Sequence, residues 1–146
     1  MLDLIIKNGS CFIDGKLQKK DIGISKGKIS HIEDTIKDTA KDTLKADQLT
    51  ILPGCMDTQV HFREPGSTDT EDLNSGSKAA VAGGITGVFE MPNTNPPTAN
   101  EKEFQKKLDL AKDRMFCNYA FYFGATPTNQ SELSKLKKML ISLGVK

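Results

Sequence analysis

The segment DTQVHFREPG, residues 57–66, decides how this chain is interpreted. It begins as a strand-like run and ends in a histidine, an arginine and a Pro-Gly turn. A second strand-like run, residues 85–91, also ends in a polar loop, PNTNPP, residues 92–97. Such runs predict two buried strands, each followed by a loop that carries polar side chains. The chemistry of this protein is therefore expected at the ends of these two strands.

Helical patterns alternate with strand-like runs after residue 54. Strands are predicted at 55–62, 85–91 and 117–123, and helices at 73–82, from Asn100 and from Asn129; Gly144 is expected to end the last helix, and Val145-Lys146 to begin a fourth strand. This alternation predicts an α/β fold with parallel strands joined by right-handed crossovers. Three units and a fragment fit either an open sheet or the N-terminal part of a (β/α)8 TIM barrel, which needs about 250 residues.

The first 53 residues follow a different pattern. Turn signals at Asn8-Gly9, Asp14-Gly15 and Lys26-Gly27 separate short runs of alternating polarity. Such runs predict hairpins of a small antiparallel β-sheet. Residues 33–48 are polar and are predicted to form a connecting or edge segment. We therefore expect two domains, residues 1–53 and residues 54–146.

Charge and composition exclude several classes of protein. Twenty Lys and Arg residues balance 19 Asp and Glu residues, so the sequence lacks the basic excess that would predict binding to nucleic acid or to a membrane surface. The first residues lack the pattern of a signal peptide, and no apolar run approaches the length of a membrane span. The three cysteines form no C-x-x-C motif. We expect a cytoplasmic protein.

Three polar residues alternate along the first strand-like run: Asp57, Gln59 and His61. Alternate residues of a strand share one face, so their side chains are expected to point the same way. A neutral imidazole and a carboxylate at the end of a strand suit Zn²⁺. The ordinary alternative is a core histidine that is hydrogen-bonded to a backbone carbonyl.

Two further residues are candidates for binding an anion. The guanidinium of Arg63 can clamp a substrate carboxylate with two parallel hydrogen bonds. The carboxamide of Asn93 can bind a carboxylate or an amide from its proline-rich loop. The alternatives are a surface arginine paired with a nearby acid, such as Glu64, and an asparagine that only shapes a turn.

Taken together, these motifs resemble those of the dihydroorotases, members of the amidohydrolase superfamily. The resemblance is carried by LPG at 52–54, the segment 57–66, GGIT at 83–86 and MPNT at 91–94. It is closest to the longer type of dihydroorotase, in which a β-sandwich flanks the (β/α)8 barrel. It covers essentially the whole chain, but only about the first third of a family member. Hydantoinases and allantoinases share part of the pattern.

The resemblance implies reversible, zinc-dependent hydrolysis of dihydroorotate to N-carbamoyl-L-aspartate in pyrimidine biosynthesis. By motif, His61 matches a metal-binding histidine, and Lys146 matches a carboxylated lysine that bridges two metal ions. Arg63 and Asn93 match residues that hold the substrate carboxylate, and Asp57 matches an acid that orients the metal site from nearby. The matching catalytic aspartate lies beyond Lys146. One or two Zn²⁺ ions are implied.

Gln59 departs from the family pattern, because it stands where a first metal-binding histidine is expected. A neutral amide oxygen is a poor zinc ligand. The departure leaves open one metal ion, weak metal binding, or a non-catalytic homologue that acts as a structural partner of aspartate carbamoyltransferase. We interpret the chain as an N-terminal fragment that is inactive alone, and expect a homo-oligomer at full length.

Overall fold

The computed structural model describes residues 1–133 and the backbone of residues 142–145. The chain divides into two compact units, Met1–Pro53 and Gly54–Lys146. The sequence predicts an apolar face for the last helix at Leu133, Leu136, Leu140 and Leu143. The middle of that face, Leu136 and Leu140, falls on residues 134–141, and the predicted metal ligand Lys146 follows residue 145. Both predictions therefore lie outside the described residues.

The first unit is a five-stranded mixed sheet. Its strands are β1 (Leu2–Ile13), β2 (Lys16–Ser25), β3 (Lys28–Glu33), β4 (Ala40–Lys45) and β5 (Thr50–Ile51). The order is β3-β2-β1-β4, and β5 also pairs with β1. The β1–β2 and β2–β3 pairs are antiparallel, whereas β4 and β5 run parallel to β1.

Two details of this sheet correct the expectations. Asn8-Gly9 is not a turn, because β1 continues through it with an irregularity in register and Asn8 has a φ of 61°. Residues 40–45 fit the edge alternative predicted for residues 33–48, because β4 is a mostly polar edge strand whose side chains are largely exposed. What was not predicted is that β4 runs parallel to β1. The sheet is consequently mixed and not purely antiparallel.

The second unit is a parallel sheet with helices between its strands. Its elements are β6 (Cys55–Val60), α1 (Leu73–Ala82), β7 (Ile85–Glu90), α2 (Glu101–Ala111), β8 (Asn118–Phe123), α3 (Gln130–Leu133) and β9 (Ser142–Val145). The strand order is β6-β7-β8-β9, and every pairing is parallel. Gly144 lies inside β9 and does not end a helix, so the fourth strand starts before the predicted Val145.

Side-chain caps fix where the helices begin. Asn100 Oδ1 accepts a hydrogen bond from the Glu103 backbone N–H, as the sequence predicts. Asp72 and Ser75 form a reciprocal capping box at α1 that the sequence reasoning missed. Asn129 precedes α3, but its carboxamide oxygen accepts from the Thr126 N–H and so serves the preceding loop.

No helix among the described residues is long and apolar enough to cross a membrane.

The core of the second unit lies between the sheet and its helices. Leu73, Val88, Phe104 and Phe121 are fully buried there. The rings of Phe104 and Phe121 pack edge to face with their centroids 6.4 Å apart. This contact packs α2 against β8 and so holds the helix on the sheet.

A buried ion pair lies in the same layer. Glu90, the last residue of β7, pairs with Lys107 of α2, and both side chains are fully buried. Lys107 Nζ also lies 5.2 Å from the centre of the Phe121 ring. Burial raises the pKa of Glu90 to about 7, against the attraction of Lys107. Burial also lowers the pKa of Lys107, while Glu90 opposes that shift.

Lys107→Met is expected to destabilise the protein by an amount that grows with pH. Because the pKa of Glu90 is higher in the folded state than in the unfolded state, protonation of Glu90 stabilises the fold. This stabilisation is complete below the unfolded-state pKa of 4.5 and is lost as the pH rises through the folded-state pKa. Without Lys107 the pKa of Glu90 in the folded state rises further, so the loss of stability continues to higher pH. Each additional pKa unit corresponds to about 1.4 kcal/mol of the free energy of unfolding. Urea unfolding at about pH 5 and about pH 8 measures the difference.

The matched control is Lys106→Met, because Lys106 neighbours Lys107 on α2 and its side chain is 53% exposed. Its effect on unfolding is expected to be small and the same at both pH values. An equal loss of stability at both pH values in Lys107→Met would contradict the ionisation assigned to Glu90.

Candidate functional site

The site begins where β6 ends. β6 stops at Val60, two residues earlier than predicted, so His61 and Arg63 lie in the loop that follows. Phe62 between them is buried against Gly76 of α1, where a Cβ atom would come within 2.5 Å of the Phe62 ring. The buried ring anchors the loop, and its two polar neighbours remain exposed.

The alternation expected for Asp57, Gln59 and His61 is interrupted. Asp57 pairs with Val88 and Val60 pairs with Glu90, so three steps along β6 match two steps along β7. The extra residue is a β-bulge, which turns the side chains that follow it. Asp57 Oδ1 accepts a hydrogen bond of 3.0 Å from the Gln59 backbone N–H. Strand periodicity therefore does not place Asp57 on the face of His61, and its role stays a prediction.

His61 and Asn93 meet directly. His61 Nδ1 lies 2.9 Å from Asn93 Oδ1, although the residues belong to different loops. A carboxamide oxygen only accepts hydrogen bonds, so this contact places the imidazole proton on Nδ1. The lone pair of Nε2 is then available for another partner, such as a metal ion. Sequence reasoning named both residues but did not predict that they touch.

Arg63 lies in the same pocket as His61 and Asn93. The pocket has a volume of about 130 Å³. Its lining comes from the two loops and consists of His61, Phe62, Arg63, Pro65, Gly66, Ser67, Asn93, Thr94 and Asn95. In the part of the chain that the structure describes, the guanidinium of Arg63 forms no ion pair. The surface ion pair considered for Arg63 with Glu64 is absent because Glu64 points elsewhere.

Glu64 anchors the loop to α1 and to the turn after α2. One carboxylate oxygen accepts from Arg114 Nη1 at 2.9 Å, and the other accepts from the Leu73 backbone N–H at 3.0 Å. Arg114 also donates to Asp72 at 3.2 Å. The hydrogen bond that Arg114 donates to the Glu64 carboxylate raises the pKa of Arg114. No sequence pattern distinguished this anchoring role of Glu64 from that of an ordinary surface acid.

Backbone hydrogen bonds join the two loops. The Met91 N–H donates to Val60 O, and the Asn95 N–H donates to Pro65 O, each at 3.0 Å. Gly66 has a φ of 129°, a conformation that favours glycine, and a Cβ atom there would lie 3.1 Å from Asn95 Cβ. The polar groups of the pocket are therefore held by main-chain contacts close to the functional side chains.

A zinc site needs at least three protein ligands. Within residues 1–133, no group of three or more His, Cys, Asp or Glu side chains is placed to hold a metal ion. His61 fits as one ligand because its Nε2 is free in the tautomer set by Asn93. The described residues therefore provide one ligand of the right chemistry, and the metal roles predicted for Gln59 and Lys146 stay predictions.

Comparison with known sequences places the chain among hydrolases. A model of the amidohydrolase family matches residues 50–142. An allantoinase of Desulfitobacterium hafniense is 38% identical over 135 residues, which are 92% of this chain and 30% of that protein. A dihydroorotase of Carboxydothermus hydrogenoformans is 45% identical over 117 residues, 75% of this chain and 27% of that protein.

Comparison with solved structures supports the same family. The L-hydantoinase of Arthrobacter aurescens superimposes with a TM-score of 0.88 at 30% identity, covering 99% of this chain and 32% of that one. The chain thus spans about 30% of the length of the curated relatives it matches. The predicted fold class is confirmed: the N-terminal part of a (β/α)8 barrel, preceded by a β-sandwich segment. Its sequence and its fold together show that this chain belongs to the amidohydrolase family.

Proposed function

We propose that this chain is the N-terminal part of a cytoplasmic cyclic amidohydrolase that interconverts dihydroorotate and N-carbamoyl-L-aspartate. One observation carries the proposal: a guanidinium without a described ion-pair partner shares a pocket with the His61–Asn93 pair. A cation in this position favours a substrate that carries a negative charge. The relatives named as dihydroorotases support the reaction class.

Three side chains of the pocket have distinct roles in this proposal. Arg63 binds the substrate carboxylate through its planar fork of N–H donors. Asn93 uses Oδ1 to orient His61, which leaves its Nδ2 hydrogens for the same carboxylate. His61 offers Nε2 to Zn²⁺, the metal common in this superfamily. When bound, Zn²⁺ supplies Lewis-acid activation of an amide carbonyl and of water.

A second candidate function is supported by the comparisons. The matched relatives include allantoinases, and the matched structures include hydantoinases. Allantoin and simple hydantoins are cyclic amides that lack a ring carboxylate. The free guanidinium of Arg63 is the feature that favours dihydroorotate over these neutral rings, because an unused charge in a substrate pocket contributes nothing to their binding.

The full-length protein with Zn²⁺ is expected to hydrolyse dihydroorotate with a higher kcat/KM than allantoin or hydantoin, and to close N-carbamoyl-L-aspartate to the ring. Removal of the metal by a chelator is expected to abolish both directions. Ring opening and closure are followed by absorbance and by chromatography of the products. Preference for allantoin or hydantoin would favour the second candidate. Stoichiometric zinc without turnover of any of the three would favour a structural role beside aspartate carbamoyltransferase.

Arg63→Met tests the specificity determinant. We expect kcat/KM for dihydroorotate to fall about 100-fold, because a hydrogen-bonded charge pair contributes about 1.5–3 kcal/mol. The melting temperature is expected to stay near the wild-type value, since Arg63 forms no ion pair in the described structure. Neutral hydantoin is the control substrate, and its kcat/KM is expected to be unchanged. An equal loss for both substrates would argue against a carboxylate contact.

Gln59→His tests the departure from the family pattern. If position 59 contributes to a metal site, replacing an amide by an imidazole is expected to raise zinc affinity. Zinc per chain is measured by elemental analysis of the full-length protein after dialysis against a chelator series. Gln105→His, on the exposed face of α2, is the matched control. Equal zinc retention in both variants would remove position 59 from the metal site.

A further inference from the structure

The loop after β7 is held at its two ends by one buried ammonium group. Lys107 Nζ donates to the Met91 carbonyl at 3.2 Å and lies 3.5 Å from Thr98 Oγ1. Thr98 Oγ1 in turn lies 3.3 Å from Thr94 Oγ1. Lys107 therefore connects the start of the loop to its end, and Asn93 lies between these two points.

Glu90 makes this arrangement possible. An isolated ammonium in an apolar core is strongly disfavoured, so a buried lysine needs a counter-charge. Glu90 supplies it from the last position of β7, with both side chains fully buried. Among the described residues, neither carboxylate oxygen has a conventional hydrogen bond from another group. Lys107 is thus the only described partner of Glu90, while Lys107 itself also bonds the loop.

Stability alone does not explain this pair. Apolar side chains of similar volume often stabilise a core as well as a buried ion pair does. What apolar side chains cannot provide is the donor that Lys107 presents to the Met91 carbonyl and to Thr98. A charged donor there restricts the loop and, through it, the direction of the Asn93 carboxamide.

We propose that the buried Glu90–Lys107 pair is a positioning device for Asn93, which holds the 91–99 loop in the geometry that binds the substrate. The pair acts through the loop and does not touch the substrate. The kinetic consequence of this inference rests on the proposed cyclic-amide hydrolase function, whereas the effect on the loop does not.

The test is the double variant Glu90→Met/Lys107→Met in the full-length protein. Both charges are removed together, so no unpaired charge is left in the core, and the melting temperature is expected to stay near the wild-type value. Hydrogen exchange of the 91–99 backbone, followed by mass spectrometry, is expected to be at least about tenfold faster. KM for dihydroorotate is expected to rise about tenfold, and kcat to change less.

The control is Glu103→Met/Lys106→Met, which removes an ion pair of 3.8 Å on the same helix. It is expected to leave both exchange and KM unchanged. Wild-type exchange in the 91–99 loop together with a wild-type KM in the Glu90/Lys107 double variant would overturn the proposal. If the wild-type protein turns over no cyclic amide, the proposed function fails, and the exchange measurement still decides the positioning role.

If the Glu90→Met/Lys107→Met variant does not fold, a single substitution tests the same link. Thr98→Val keeps the shape of the side chain and the buried ion pair, but removes the hydroxyl that receives Lys107 and contacts Thr94. Exchange in residues 91–99 is expected to increase while the rest of the second unit is unchanged. Wild-type exchange there would overturn the proposed link between Lys107 and the loop.

Discussion

The hydrogen bond from the Met91 N–H to the Val60 carbonyl is the contact on which the site depends. β6 and β7 are parallel, so their carboxyl ends meet at one edge of the sheet. This hydrogen bond lies at the carboxyl ends of β6 and β7, directly before the two strands continue into their loops. Because the loops leave from adjacent points, the imidazole of His61 reaches the carboxamide of Asn93 across 32 positions of sequence.

Charge is distributed so that Arg63 is left without a protein partner in the described structure. Glu64, its neighbour in sequence, is held by Arg114 and by the first N–H of α1. Glu90, the last residue before the second loop, is held by Lys107 inside the core. Glu64 and Glu90 therefore each have a cation of their own. The charge on Arg63 is available for an anion from outside the chain, which is the condition for recognising a carboxylate.

Much of this arrangement could be predicted from the sequence, because periodicity and end signals are local. The α1 pattern and the Asn100 cap predicted two helices, and the polar strand ends predicted that His61, Arg63 and Asn93 belong together. The β6 bulge could not be predicted, since one extra residue in a ladder leaves no mark in the alternation of a polar run. The burial of Lys107 could not be predicted either, because a lysine on an amphipathic helix is usually exposed to solvent.

Scaffold and specificity are separate in this chain. An allantoinase, a dihydroorotase and a hydantoinase each match most of this chain, at 38%, 45% and 30% identity, so the scaffold alone does not distinguish these activities. In the proposed function, the choice comes from side chains at the strand ends, where a charged ligand and a neutral ligand interact differently with Arg63. In the proposed function, a ring carboxylate would pair with Arg63, whereas a neutral ring would leave the charge of Arg63 without a partner in the ligand. Substrate preference is therefore expected to follow the charge at position 63 more closely than overall sequence similarity.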